Sequence, residues 1–299
     1  MFEDFEQIDI DTGEVTIHGR RGGAGPPLLL LHGHPQTHVM WHSVAPVLAQ
    51  RFTVVATDLR GYGDSSKPAT TADHEPYSKR AMARDQVAVM TALGYERFAV
   101  VGHDRGARCA YRLTLDHPHR VTQLAVLDII PTLEMWDRWD RALSLVNWHW
   151  SFLAQSFDVP ERIIGADPRA YFTRKWPAHD QPPPQWSPEA AAEYLRCYLD
   201  PATVHAICED YRAGASIDVE HDAADRGVRR IACPLLVLWS AREELARFDP
   251  VAIWRDWADD VRGHGVDAGH FLAEEAPDDV LDALLGFLGD GTGRLPLPP

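Results

Sequence analysis

Short uninterrupted apolar runs alternate along the chain with stretches whose apolar positions recur at helical spacing. Pro27–Leu31 (PLLLL), Phe52–Thr57 (FTVVAT), Phe98–Gly102 (FAVVG), Leu124–Ile130 (LAVLDII) and Leu235–Trp239 (LLVLW) are continuous rather than alternating. That is the pattern of strands buried on both faces, as in a parallel sheet. Between two of these runs, Tyr77–Leu93 sets Met82, Val89, Met90 and Leu93 on one helical face, and Gly94 supplies a stop. Strand, helix, strand in that rhythm predicts an α/β fold: a mostly parallel sheet with right-handed crossovers and helices on both faces.

The rhythm breaks after Pro131. From Thr132 to about Asp222 the chain is rich in Trp, Tyr and Pro, with Pro182–Pro184 inside it, and Pro188–Tyr198 and Pro201–Tyr211 read as helices. Strand-like sequence resumes at Ile231, and a last strand is expected around Val261–Val266. We therefore expect one core domain from residues 1–131 and 223–299, with a helical cap inserted at 132–222. Such an insertion lies over the carboxyl ends of the strands, where open sheets bind ligands. The final stretch, GDGTGRLPLPP, reads as a frayed tail.

Composition narrows the classes. The 299 residues are 45% hydrophobic and 24% charged, ordinary globular values that exclude a disordered or collagen-like chain. Net charge is −15, from 29 basic and 44 acidic residues, which argues against nucleic acid as a partner because phosphate binding needs a basic footprint. The longest aliphatic run, Leu28–Leu31, is too short to span a bilayer, and the acidic opening MFEDFEQIDIDTGE does not suit a targeting peptide. Cys109, Cys197, Cys208 and Cys233 lie far apart, as free thiols of a reducing compartment would. A cytoplasmic protein without membrane contact is expected. The fifteen histidines show no H-E-x-x-H spacing, so neither a metal nor another cofactor is expected.

Gly102-His103-Asp104-Arg105-Gly106 follows a buried run and opens a helix. It fits the G-x-nucleophile-x-G elbow of the α/β-hydrolase fold, with Asp at the nucleophile position. The simpler alternative is a Gly-rich turn whose Asp caps the helix. Three other elements favour the elbow. His32-Gly33-His34-Pro35 follows the first apolar run, where an oxyanion-hole amide is expected, so the hole would be the backbone N–H groups of His34 and Arg105. Asp128 ends the Leu124 run, and His270 follows the last strand. Asp104, Asp128 and His270 thus stand in the order nucleophile, acid, histidine.

An Asp nucleophile restricts the reaction. A carboxylate is already ionised at neutral pH and needs no base to activate it. Serine alkylated at carbon would give an inert ether, whereas aspartate gives an ester that water can cleave. The residue therefore suits displacement of a leaving group from a saturated carbon. His270, oriented by Asp128, would act in a second step by deprotonating the water that attacks the ester. Arg105 and Arg108, three apart in the first turn of the elbow helix, share a face near the nucleophile. The plain reading is that they pair with Asp104 or another acid. The functional one is a clamp for a substrate carboxylate, which planar guanidinium donors suit.

On these residues the chain resembles the fluoroacetate and haloacetate dehalogenases of the α/β-hydrolase superfamily. The match is most specific at His103–Arg108, Leu127–Thr132, His149-Trp150, Cys208–Gly214 and Gly269–Phe271. The resemblance implies that Asp104 displaces halide, that Asp128 and His270 hydrolyse the ester, and that Arg105 and Arg108 hold the carboxylate of a small anionic haloacid. It further implies that His149, Trp150 and Tyr211 donate hydrogen bonds to the leaving halide, that Trp176 lines the pocket, and that the protein is a homodimer. His34 departs from the pattern, since relatives commonly carry Phe there; it turns an apolar pocket wall into a titratable one. Glu243 and Glu244 follow the Leu235 run, another place where the superfamily puts its acid, but Leu-Asp-Ile-Ile-Pro-Thr favours Asp128. An epoxide hydrolase would share the Asp elbow but has no use for a carboxylate clamp. A non-catalytic ligand-binding relative would be expected to have a broken triad.

Overall fold

Every residue of Leu28–Leu31 is fully buried, because helices cover both faces of the sheet that this run enters. The computed structural model describes residues 1–178 and 181–289. Its eight strands are β1 (Glu6–Asp11), β2 (Thr16–Gly22), β3 (Pro27–Leu31), β4 (Thr53–Thr57), β5 (Phe98–His103), β6 (Val121–Leu127), β7 (Leu235–Ser240) and β8 (Val261–Val266). They form one sheet in the order β1-β2-β4-β3-β5-β6-β7-β8. β3 to β8 run parallel to one another, and β1 and β2 add an antiparallel edge beside β4. All five continuous runs fall in strands. The edge hairpin was not expected: β1 reads Gln7, Asp9 and Asp11 against Ile8 and Ile10, an alternating pattern that a search for continuous runs passes over.

The helix between β4 and β5 runs from Lys79 to Ala92, and the Ser78 side chain caps it by accepting from the Ala81 N–H. It packs beside the helix Arg105–Asp116. β6 begins and ends three residues earlier than expected. Val121 pairs with Phe98, while Asp128 leaves the strand with φ +55° and still donates its N–H to Leu238 O at 2.8 Å. Between β6 and β7 the chain is helical, from Thr132–Asp137 through Pro188–Tyr198 and Pro201–Gly214 to Ile217–Asp225. Ile231 makes only an isolated bridge to Ala258, so the sheet resumes at Leu235. All four cysteines are free. Among the described residues, no helix is long and apolar enough to cross a membrane. The expected tail, apart from Gly289, lies outside the described residues.

Candidate active site

Asp104 stands at the carboxyl end of β5 with φ 47° and ψ −115°, a strained conformation for a non-glycine residue. Its side chain makes no helix-capping bond, so the simple cap reading does not hold. The turn is held by close approach. A Cβ on Gly106 would lie 2.3 Å from His32 O, and one on Gly33 would lie 2.5 Å from the Asp104 Cβ. Only glycine lets the β3 loop and the elbow meet there.

The His34 N–H donates to Asp104 Oδ1 at 2.8 Å, so one expected oxyanion-hole amide already faces this carboxylate. His270 Nε2 lies 4.0 Å from Asp104 Oδ2, and His270 Nδ1 lies 2.6 Å from Asp128 Oδ2. Asp128 is fixed in turn by the Ser240 N–H, which donates to its Oδ1 at 2.8 Å. The three side chains expected to act together are together. Glu243 does not compete for the ring: its Oε1 accepts from the His270 backbone N–H at 3.1 Å. Glu244 lines the same cavity.

Electrostatics sorts the charges. Burial pushes the Asp104 carboxyl up, but the fields of His270, His103, Arg105 and Arg108 outweigh it and hold the group well below the usual carboxylate range. Burial disfavours protonated His270, yet the hydrogen bond and charge of Asp128, then Asp104 and Glu243, raise its pKa to about 9. His103 goes the other way. Burial and the His270 charge push it down to about 4, and its Nε2 lies 2.8 Å from His270 O.

Both guanidinium groups face the Trp150 ring, 5.9 and 4.6 Å from its centre, but they are anchored differently. Arg105 is gripped by Asp210: Nε to Oδ2 at 2.9 Å, and Nη2 to Oδ1 and to the backbone O, both at 2.7 Å. Its guanidinium lies 4.3 Å from the Tyr211 ring centre, and its buried Nη1 has no hydrogen-bond partner. Arg108 lines the cavity, donates from Nη1 to Ile130 O (3.2 Å) and Thr132 Oγ1 (3.0 Å), and sits 4.6 Å from Trp150; its Nε is unpartnered. Neither arginine pairs with Asp104. The pairing alternative thus holds for Arg105 with a different acid, which leaves one donor over.

His149, Trp150, Tyr211, His34 and Trp176 all line the cavity. Tyr211 packs edge-on to Trp150 at 6.1 Å and to His149 at 5.9 Å, while the His34 ring lies 5.5 Å from Tyr211. Burial and the Arg174 charge push His34 down to about 3, so its ring is neutral. Sequence reasoning missed several members. Asp210 also accepts from Tyr62 OH (2.6 Å) and pairs with Lys79; it lies in the quoted Cys208–Gly214 stretch, but a charged residue gives no sign of which arginine it will meet. Arg174, Trp139 and Trp186 line the cavity without any motif to flag them. Ligand atoms of Asp128, Glu243 and His270 fall within 4.8 Å of one another, a spacing that could hold a metal ion. The His270 ring, however, already spends Nδ1 on Asp128 and aims Nε2 at Asp104.

A strained elbow after β5, an acid after β6 and a histidine after β8 are the arrangement of an α/β hydrolase, with an aspartate at the elbow position. Residues 26–277 match the α/β hydrolase fold family. The chain is 47% identical to a fluoroacetate dehalogenase from Burkholderia sp over 97% of its length and 96% of the relative's. It is 35% identical to a soluble epoxide hydrolase from Corynebacterium sp. (strain C12), over 93% of this chain and 97% of that one. A solved α/β-hydrolase-type structure from Nostoc sp PCC 7120 superposes with a TM-score of 0.93 at 53% identity, covering 98% of this chain and 100% of the other. The chain belongs to the haloacetate dehalogenase family of the α/β-hydrolase superfamily.

Proposed function

We propose that this protein cleaves the carbon–halogen bond of small 2-haloacids, releasing halide and the 2-hydroxyacid. The observation that carries the reading is an ionised Asp104 set 4.0 Å from a base-and-acid pair, in a cavity walled by Arg108 and an aromatic cluster. The substrate carboxylate is taken by the unpartnered donors Arg105 Nη1 and Arg108 Nε, which in the free enzyme are buried polar atoms left over from the Asp210 and Thr132 contacts. That contact aims the halogen-bearing carbon at Asp104.

A carboxylate oxygen of Asp104 forms the new C–O bond as the halogen leaves with the bonding pair. His149, Trp150 and Tyr211 donate to the departing halide, and fluoride in particular requires such donors because its charge is concentrated. His270 then takes a proton from water, the hydroxide attacks the Asp104 carbonyl carbon, and the oxyanion is met by the N–H groups of His34 and Arg105. Cleavage of the acyl C–O bond returns Asp104 and frees the hydroxyacid.

The 35% identical epoxide hydrolase keeps a second reading in view, with the same nucleophile opening an epoxide. That chemistry calls for two tyrosines to protonate the ring oxygen, and among the described lining residues Tyr211 is the one tyrosine. The test is halide release from fluoro-, chloro- and bromoacetate with no added metal or cofactor, beside an epoxide control. Halide with glycolate is expected. Release from none of the three, or turnover of the epoxide alone, would overturn the proposal.

A further inference from the structure

The cavity is far larger than a two-carbon acid requires. Its volume is about 440 Å³, within the range of pockets that enclose drug-sized ligands. Its acids gather beside the catalytic histidine: Glu243 holds the His270 N–H, and Glu275 takes the Gly269 and Phe271 N–H groups at 2.7 and 3.1 Å. Its remaining cation comes from the helical segment. Arg174 lies 4.0 Å from the Tyr171 ring centre and 5.6 Å from that of Trp148, and donates from Nη1 to Tyr171 O at 2.7 Å.

Nothing in the triad chemistry uses this arginine. Among the described residues its hydrogen bond goes to the Tyr171 carbonyl and to no carboxylate, and its Nε is buried without a hydrogen-bond partner. A guanidinium packed between aromatic rings, with no counter-charge among the described residues, is suited to receive an anion. His34 adds a second observation. It is 6% exposed, its Nδ1 has no partner, and its ring lines the same cavity as Arg174. Two unpartnered polar groups therefore face a cavity larger than a two-carbon acid fills.

We propose that Arg174, with His34 beside it, forms a second anion subsite, so that 2-halodicarboxylic acids are substrates whose distal carboxylate Arg174 receives. The inference rests on the haloacid reading and extends it. Asp104 forms the C–O bond at the 2-carbon and halide leaves with its electron pair; water then attacks the ester carbonyl, its oxygen stays in the Asp104 carboxylate, and the 2-hydroxydicarboxylate is released.

The experiment compares kcat/KM for 2-chlorosuccinate, 2-bromoglutarate and 2-bromoadipate with the monoacids of equal chain length, 2-chlorobutyrate, 2-bromopentanoate and 2-bromohexanoate, in wild type and Arg174→Met. For at least one length the diacid is expected to exceed its monoacid about tenfold, the worth of one charge-assisted contact, and Arg174→Met is expected to abolish that ratio. A wild-type ratio below one at every length, or a ratio that the variant leaves in place, would overturn the proposal. Bromoacetate turnover reads the haloacid proposal by itself. Should it be absent, calorimetric titration with glutarate against butyrate still reads the subsite: tighter glutarate binding that Arg174→Met removes supports it, and equal binding overturns it.

Discussion

The proposed two-step reaction requires His270 to change its affinity for protons between the steps, and its distance from Asp104 bounds the change. In the resting enzyme its pKa is raised to about 9, partly by the Asp104 charge 4.0 Å away. A base that holds its proton at neutral pH cannot activate water. Alkylation of Asp104 turns that carboxylate into a neutral ester and removes the charge. At an effective dielectric constant of ~20, a unit charge at that separation is worth about 4 kcal/mol, or about three pKa units. That is a ceiling, because the carboxylate is already shared with the His34 amide and the arginine field.

The variant Asp104→Asn mimics the neutral ester in shape and charge. Its His270 is expected to titrate about one to three units lower than in wild type. The sign carries into stability. A histidine raised in the folded state contributes stability fully present below its unfolded pKa of about 6.5 and lost as pH rises through about 9. In Asp104→Asn the loss should still set in at about pH 6.5 but be smaller and complete at lower pH. Imidazole NMR titration of the two proteins measures the shift, and thermal melts across the same range check the linkage. An unchanged or higher His270 pKa in the variant would refute the reasoning, and with it the idea that ester formation switches the base on.

Three further outcomes test separate parts of the site. His270→Asn should form the ester with bromoacetate and fail to release it, leaving the peptide containing Asp104 heavier by one carboxymethyl group; inactivity with no adduct would contradict the two-step order. Arg108→Leu should raise KM for haloacetate about 10- to 100-fold, from loss of a charge-assisted contact of about 1.5–3 kcal/mol, and unchanged kinetics would remove Arg108 from the clamp. Asp210→Asn leaves Arg105 buried without its ion-pair partner and Lys79 with Asp218 alone, 3.7 Å away. A stability loss of about 3–5 kcal/mol in chemical denaturation is expected, together with a raised KM, and a variant as stable as wild type would show that the pair is not the anchor of the Arg105 side chain.

The parts of this molecule legible in the sequence were those set by local pattern. Continuous apolar runs marked β3 to β7 because strands covered on both faces have no polar side to show. The elbow was legible because its glycines are demanded by backbone contacts of 2.3–2.6 Å that no other residue could make. What stayed hidden depends on long-range meetings. Arg105 and Arg108, neighbours on a helix face, are anchored differently because Asp210, more than a hundred positions away, grips one of them beside Tyr211. Arg174 reaches the cavity only through the packing of Tyr171 and Trp148. The edge hairpin went unread for a simpler reason: one of its strands alternates polar and apolar residues, as solvent on one face requires.

The central claim is that Asp104 itself becomes alkylated. One turnover of excess enzyme with bromoacetate in ¹⁸O-water tests it most directly, followed by mass analysis of both the glycolate and the peptide containing Asp104. The account predicts heavy oxygen in the Asp104 carboxylate and none in the glycolate. Labelled glycolate beside an unlabelled Asp104 would mean that water attacks the substrate directly, and would contradict it.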